Sequence, residues 1–256
     1  MKDAILELEN ITKIFFSRKK KIIACDNISF TVNDGEAVSL LGLNGAGKST
    51  LINIISTQLV ASSGTGRVCG FPLDKTLEIK KRLGVLHEKN PLYENMTAFQ
   101  FLRFCQNMHG IDDEEFILEL CEKWTLTDVK NSLIKTLSKG FKQRLGLVAC
   151  LVHRPKLLIL DEPSSGLDTL QQSEFEKNIL ELIPKLTLLL CTHDLEQAAR
   201  LCKKHILLAK GKLASKGNID EIAAELFSMG ALDKEKKYTN KEILQKAFEI
   251  NSKREA

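Results

Sequence analysis

Gly42-Leu43-Asn44-Gly45-Ala46-Gly47-Lys48-Ser49-Thr50, GLNGAGKST, decides how the rest of the chain is read. An apolar run, Ala37–Leu41, precedes it, and a helix-like segment, Leu51–Leu59, follows. The stretch fits the spacing G-x-x-x-x-G-K-[ST] through Gly42, Gly47, Lys48 and Ser49. Its glycines let backbone N–H groups turn inward around a polyphosphate. The helix behind them adds the positive end of its dipole. Lys48 brings a mobile charge for the outer phosphates, and Ser49 offers a hydroxyl to a divalent cation.

Two more apolar runs end in polar clusters. Leu157–Leu160 leads into Asp161-Glu162-Pro163, and Leu186–Cys191 leads into Thr192-His193-Asp194. In an open α/β sheet, ligands gather at the carboxyl ends of the strands, where these groups fall. Asp161 is placed to hold Mg²⁺ through water. Glu162, one residue further, suits a base that orients an attacking water. His193 ends its strand at the same edge, within reach of a terminal phosphate. His87, His109, His153 and His205 have no such placement.

Strand patterns at Ile5–Leu8, Ile28–Val32, Ala37–Leu41, Leu157–Leu160, Leu186–Cys191 and Ile206–Ala209 alternate with helical segments. Asn33-Asp34-Gly35 signals a turn, Ser62–Gly66 a loop, and the charge run Ser17–Lys21 (SRKKK) a solvated hairpin loop. From Leu77 to His153 the pattern is mostly helical, with helices expected over Thr97–Met108, Glu114–Trp124 and Phe141–Val152. The tail carries two helical segments, Asp220–Phe227 and Asn240–Ile250, the second capped by Thr239 or Asn240. Strand–helix alternation on both sides of a helical insert predicts an α/β sheet with a helical subdomain.

The 256 residues are 43% hydrophobic, enough for a substantial core. A net charge of +4 suits an anionic ligand or membrane surface without demanding nucleic acid. The seven cysteines include no CxxC pair, which argues against a zinc or disulfide framework and for a reducing compartment. Cys69, Cys105, Cys150 and Cys191 read as small core residues. No signal peptide is expected at MKDAILELEN, and no apolar run approaches the ~20 residues of a membrane span.

Taken together and in order, the motifs resemble those of the ATP-binding subunit of an ABC transporter, from about Ile5 to about Gly217. GLNGAGKST corresponds to Walker A, LSKGF to the signature, LLILDEP to Walker B, SGLD (Ser165–Asp168) to the D-loop and CTHD to the H-loop. The resemblance implies a P-loop NTPase (RecA-like) α/β core with an antiparallel β subdomain and an inserted all-helical subdomain. Residues 1–218 would form the ATPase domain, with the helical insert at about 89–154, and 219–256 a charged helical tail. It implies ATP contacts from Gly42, Asn44, Gly45, Ala46, Gly47, Lys48, Ser49 and Thr50. Glu162 would be the catalytic base and His193 the γ-phosphate contact. Ser138, Lys139 and Gly140 would reach ATP held by a second subunit, and Asp168 would tie the two sites of the dimer together. An aromatic near the N-terminus would stack on adenine, which TKIFF supplies as Phe15 or, alternatively, Phe16.

Two departures from the family pattern stand out. Glu88, in GVLHEKNPLYENMT, falls where the family usually has a glutamine that binds Mg²⁺, so the expected metal set is Ser49, Asp161 and Glu88. A carboxylate there is a charged oxygen ligand that still suits the metal. In the signature, Lys139 replaces the first glycine of L-S-G-G-Q and Phe141 the glutamine, while Ser138 and Gly140 remain. LSKG with KQR resembles ATPases of drug-, ion- and lipid-exporting systems. Met96, Phe99, Phe104 and Met108 are expected in the core of the helical insert. An exposed subset of Tyr93, Phe101 and Arg103 is expected to meet the permease.

The implied partners are a polytopic membrane permease in a separate chain and a second copy, or a homologous ATPase subunit. The implied location is the cytoplasmic face of a membrane. The alternative is a soluble ABC ATPase acting in translation, on DNA or in cofactor assembly. The chain has one ATPase unit and no zinc or coiled-coil insertion, which disfavours it.

Overall fold

Ala37–Leu41 (β3), Leu157–Asp161 (β7) and Thr187–Thr192 (β8) are buried at every position. Strands covered on both faces read as continuous apolar runs, and such strands pair in parallel. They do so here: β8 lies between β3 and β7, and the six-stranded sheet has the order β10-β9-β3-β8-β7-β6. Its outer members are Leu83–Leu86 (β6), Lys204–Ala209 (β9) and Lys212–Gly217 (β10). The computed structural model describes residues 3–17, 20–183, 186–233 and 236–253.

A second, antiparallel sheet has the order β2-β1-β4-β5. Its body is one long hairpin, Ala4–Ser17 (β1) with Lys20–Asn33 (β2), joined by Ser63–Val68 (β4) and Phe71–Pro72 (β5). Both strands of the hairpin run well beyond Ile5–Leu8 and Ile28–Val32. The SRKKK run is therefore largely strand end, with Arg18 and Lys19 outside the described residues. Ser62–Gly66, expected as a loop, is mostly strand. Gly64 adopts φ 92°, and a Cβ there would collide with the Asn10 carbonyl oxygen, so the backbones close up only because no side chain intervenes.

The helix after the glycine loop, α1, runs Lys48–Ile55 rather than Leu51–Leu59. Its early start follows from Gly47 at φ 100°, and Thr57 at φ 59° ends its last turn. Past the short α2 (Thr76–Lys80), the segment expected to be helical opens instead with β6, which pairs with β7. Three α-helices then lie between β6 and β7: Ala98–Met108 (α3), Glu114–Lys123 (α4) and Lys139–Leu151 (α5). Each has a side-chain cap, from Thr97, Asp113 and Ser138 respectively. Trp124 is fully buried and packs on Phe175, 5.9 Å between ring centroids. The apolar face of α3 differs from the expected one. Phe101 is only 6% exposed, whereas Met108 is 71% exposed and Phe104 sits at the surface against Tyr93.

Thr169–Leu182 (α6) and Leu195–Leu201 (α7) follow β7 and β8. The tail forms Ile219–Ser228 (α8) and Asn240–Lys253 (α9). Thr239 caps α9, its hydroxyl accepting from the Glu242 N–H. Ile243, Leu244 and Ala247 of α9 share a core cluster with Leu41 of β3, Leu207 of β9 and Ala198 of α7.

Candidate functional site

All the parallel strands deliver their carboxyl ends to one edge. In the order β3-β8-β7-β6, that edge carries Gly42, then His193, then Asp161 and Glu162, then His87 and Glu88. The topology thus places the glycine loop on one edge with Asp161, Glu162 and His193, although 113 or more positions separate Lys48 from each of those three along the chain.

In the glycine loop, Ala46 N–H donates to the Leu43 carbonyl (3.0 Å) and Gly211 N–H to the Ala46 carbonyl (3.0 Å). A Cβ at Gly47 would collide with the Ala24 carbonyl oxygen, so this close approach of hairpin to loop requires glycine. Lys48 is 7% exposed. Its ammonium folds back onto the loop's own carbonyls, Gly42 O at 2.5 Å and Leu43 O at 3.4 Å. Among the described residues, these two backbone carbonyls are the hydrogen-bond partners of the ammonium. Asn44, Gly45 and Ser49 are exposed, and Thr50 is half-buried.

Glu162 and His193 meet. His193 Nδ1 lies 2.8 Å from Glu162 Oε1, and the Thr192 hydroxyl donates to Oε2 at 3.5 Å. The Glu162 side chain is 16% exposed and that of His193 71%. Glu162 has φ 48°, unusual for a residue with a side chain, and its N–H donates to the Cys191 carbonyl at 2.8 Å. This turn aims the carboxylate at the histidine. Asp161 is 7% exposed. Burial, followed by the neighbouring Asp161 carboxylate, pushes the Cys191 thiol far above its ordinary range, so it stays protonated beside the acid. Ser49 and Asp161 are hard oxygen donors on this same edge, with β8 between their strands, and their chemistry suits Mg²⁺. Glu88 is exposed and has no hydrogen-bond or ion-pair partner among the described residues.

Ser138, Lys139 and Gly140 open α5. The Ser138 hydroxyl accepts from the Phe141 N–H at 3.3 Å. The Lys139 ammonium lies over Gly166, and Gly140 faces Gln171. This helix start therefore borders the SGLD loop of its own chain. Asp168 caps α6, its Oδ1 accepting from the Gln171 N–H at 2.9 Å. Gln143, which sequence reasoning passed over, is buried and donates to the Pro163 carbonyl at 2.7 Å, tying α5 to the turn after Glu162. Only its place on the inward face of α5 signals it.

At the far end of the hairpin, Phe15 is 40% exposed and Phe16 82%. Phe15 pairs with Ile22, and Lys13 pairs with Cys25 on the same face. Cys25 Sγ donates to the Gly47 carbonyl at 3.8 Å, so Phe15 stands on the side of the hairpin that faces the glycine loop, and Phe16 on the other. The outer side of that loop borders a cavity of about 230 Å³ closed by Leu208–Lys210 and by Phe248 of α9. A larger cavity, about 590 Å³, lies between the end of α1 and β4–β5, away from these groups.

A glycine-cradled phosphate site at a parallel sheet edge, facing an acid and a histidine and joined to a helical insert, defines a P-loop ATPase of cassette type. The ABC transporter family model matches residues 25–165, which places the chain in the ABC transporter family as an ATP-binding cassette. NatA, an ABC transporter ATP-binding protein of Bacillus subtilis, is 31% identical over 85% of this chain and 91% of its own length. The uncharacterized ABC transporter ATP-binding protein YdbJ of the same organism is 37% identical over 83% of this chain and 69% of its own. The probable multidrug ABC transporter ATP-binding protein YbhF of Escherichia coli is 35% identical over 87% of this chain, but only 39% of its own length is spanned. Among solved structures, an ATP-binding subunit of an ABC transporter is 27% identical with a TM-score of 0.83, covering 97% of this chain and 99% of that one.

Proposed function

We propose that the chain hydrolyses ATP at the interface of a head-to-tail pair and drives an export permease carried on a separate chain. The observation that carries this reading is the 2.8 Å contact between Glu162 and His193 beside the Gly42–Thr50 loop. In it, the loop from Gly42, through Asn44, Gly45, Ala46, Gly47, Lys48 and Ser49 to Thr50, binds the phosphates. Lys48 leaves its carbonyl partners for the outer phosphate oxygens. Glu162 accepts the proton of an attacking water, and His193 holds Glu162 in place and contacts the γ-phosphate. Ser49, Asp161 and Glu88 would hold Mg²⁺, which would supply charge neutralisation for the phosphates. Phe15, on the loop-facing side of the hairpin, stacks on adenine.

Ser138, Lys139 and Gly140 close the partner's site. Their helix start offers N–H groups and dipole to an anion, and in this chain's own fold it faces the D-loop instead. Asp168 sits where the two sites would communicate. Domain limits follow the same logic, with an ATPase unit over 1–218 holding the helical insert at about 89–154, and the tail at 219–256. Relatives named for multidrug transport and the LSKG signature support export. Among the described residues no helix is long and apolar enough to cross a membrane, in keeping with a partner chain that does so while this one works at its cytoplasmic face.

Glu162→Gln tests the reading. ATP turnover should fall at least ~100-fold while ATP binding survives, and an ATP-dependent dimer should accumulate on gel filtration. A variant that turns over at the parent rate would refute the role of Glu162.

A further inference from the structure

Behind the Glu162–His193 pair lies a buried polar network. Glu176, on α6, is 6% exposed. A carboxylate so deeply buried is tolerated only when fully paired. Arg200 holds it twice, Nε to Oε2 at 3.0 Å and Nη2 to Oε1 at 3.1 Å. Gln172 Nε2 donates to Oε1 at 3.2 Å and Gln197 Nε2 at 3.1 Å. Gln197, on α7, is fully buried, and the same nitrogen donates to the Ser164 hydroxyl at 2.9 Å.

The positions of these partners matter. Ser164 stands two residues past Glu162, and α7 begins two residues past His193. The Gln197 amide therefore joins the chain leaving the acid to the helix leaving the histidine. Its orientation is fixed by charge. The Glu176 carboxylate accepts hydrogen bonds and donates none, so only the NH₂ group can face it. The fold tolerates a cost for this, because Gln197 Oε1 is left without a partner among the described residues.

We propose that Glu176 and Gln197 are positioning residues: Glu176 orients the Gln197 amide, Gln197 holds Ser164, and the clamp sets the spacing of Glu162 and His193. The proposal rests on the reading of those two residues as catalytic. Small displacements of a reacting pair cost much in rate and little in ground-state binding.

The test compares Ser164→Ala, Gln197→Met and the double variant with the parent for kcat, KM for ATP and Tm. Each single change should lower kcat about tenfold, with KM and Tm nearly unchanged, and the double variant should be no slower than Gln197→Met. Ser164→Thr, which keeps the hydroxyl, should retain most of the parent kcat. Unchanged kcat in Ser164→Ala overturns the proposal even where Gln197→Met fails to fold, and so do losses that multiply in the double variant. Glu162→Gln assayed alongside separates the two ideas. If it keeps turnover, the catalytic reading fails; if it abolishes turnover while Ser164→Ala runs at the parent rate, the clamp alone fails.

Discussion

The six-stranded sheet buries β3, β7 and β8 at every residue and shows polar groups only where those strands end. The four-stranded sheet is dominated by a hairpin of two 14-residue strands whose far end leaves Phe15, Phe16, Ile22 and Ile23 exposed. Both border the glycine loop. The first is the frame that carries the groups proposed for phosphate chemistry, and the second presents the exposed aromatic face proposed to stack on adenine. The contrast teaches that the buried sheet can fix the proposed catalytic groups at set distances, while the proposed adenine contact on the hairpin need supply only affinity.

Lys48→Ala should separate the two sheets most sharply. It removes the cation at the edge of the frame and should weaken ATP binding at least ~100-fold in an equilibrium titration, with the fold intact. Parent-like affinity would put the binding energy on the hairpin instead.

A smaller effect is expected from acid. Burial lowers the pKa of His205, in β9, to about 4. With the folded value below the ordinary 6.5, its contribution to stability is fully present above pH 6.5 and is lost as pH falls toward 4. Between pH 6.5 and 5 that loss is on the order of 2 kcal/mol. His153, also near 4 through burial, acts in the same direction. His205→Asn should flatten the stability profile over this range, and an unchanged slope would show that His205 does not titrate with unfolding.

The smallest effect belongs to the hairpin. Phe15→Ala should raise KM for ATP about fivefold, near 1 kcal/mol, with kcat preserved, and Phe16→Ala should do less. Equal effects from the two would erase the distinction between the faces.

The same contrast governs what was readable in advance. The inner strands of the frame announce themselves, because full burial demands unbroken apolar runs that end in polar residues. The antiparallel sheet shows in the sequence only the parts of its hairpin at Ile5–Leu8 and Ile28–Val32 and hides the rest. Ser63–Val68, SGTGRV, has two glycines and little apolar content, and its pairing of Leu6 with Val68 and Leu8 with Gly66 is a matter of backbone. Leu83–Leu86 is four residues long, too short to oppose the helical pattern around it. Along α3, Phe101 and Met108 exchange their expected places because helical spacing shows that a stripe exists before it shows which stripe is covered. Motif spacing pointed to Lys48, Asp161, Glu162 and His193, whereas Glu176 and Gln197 belong to no motif and become visible only when α6 and α7 are packed together.

Leu41, the last residue before the glycine loop, shares its core cluster with Leu244 and Ala247 of α9. Part of the cover of the strand that bears the phosphate loop therefore comes from a helix about 200 positions further along the chain. Contacts so distant along the chain form slowly. The strand that leads into the nucleotide loop is thus finished only when segments about 200 positions apart along the chain have met.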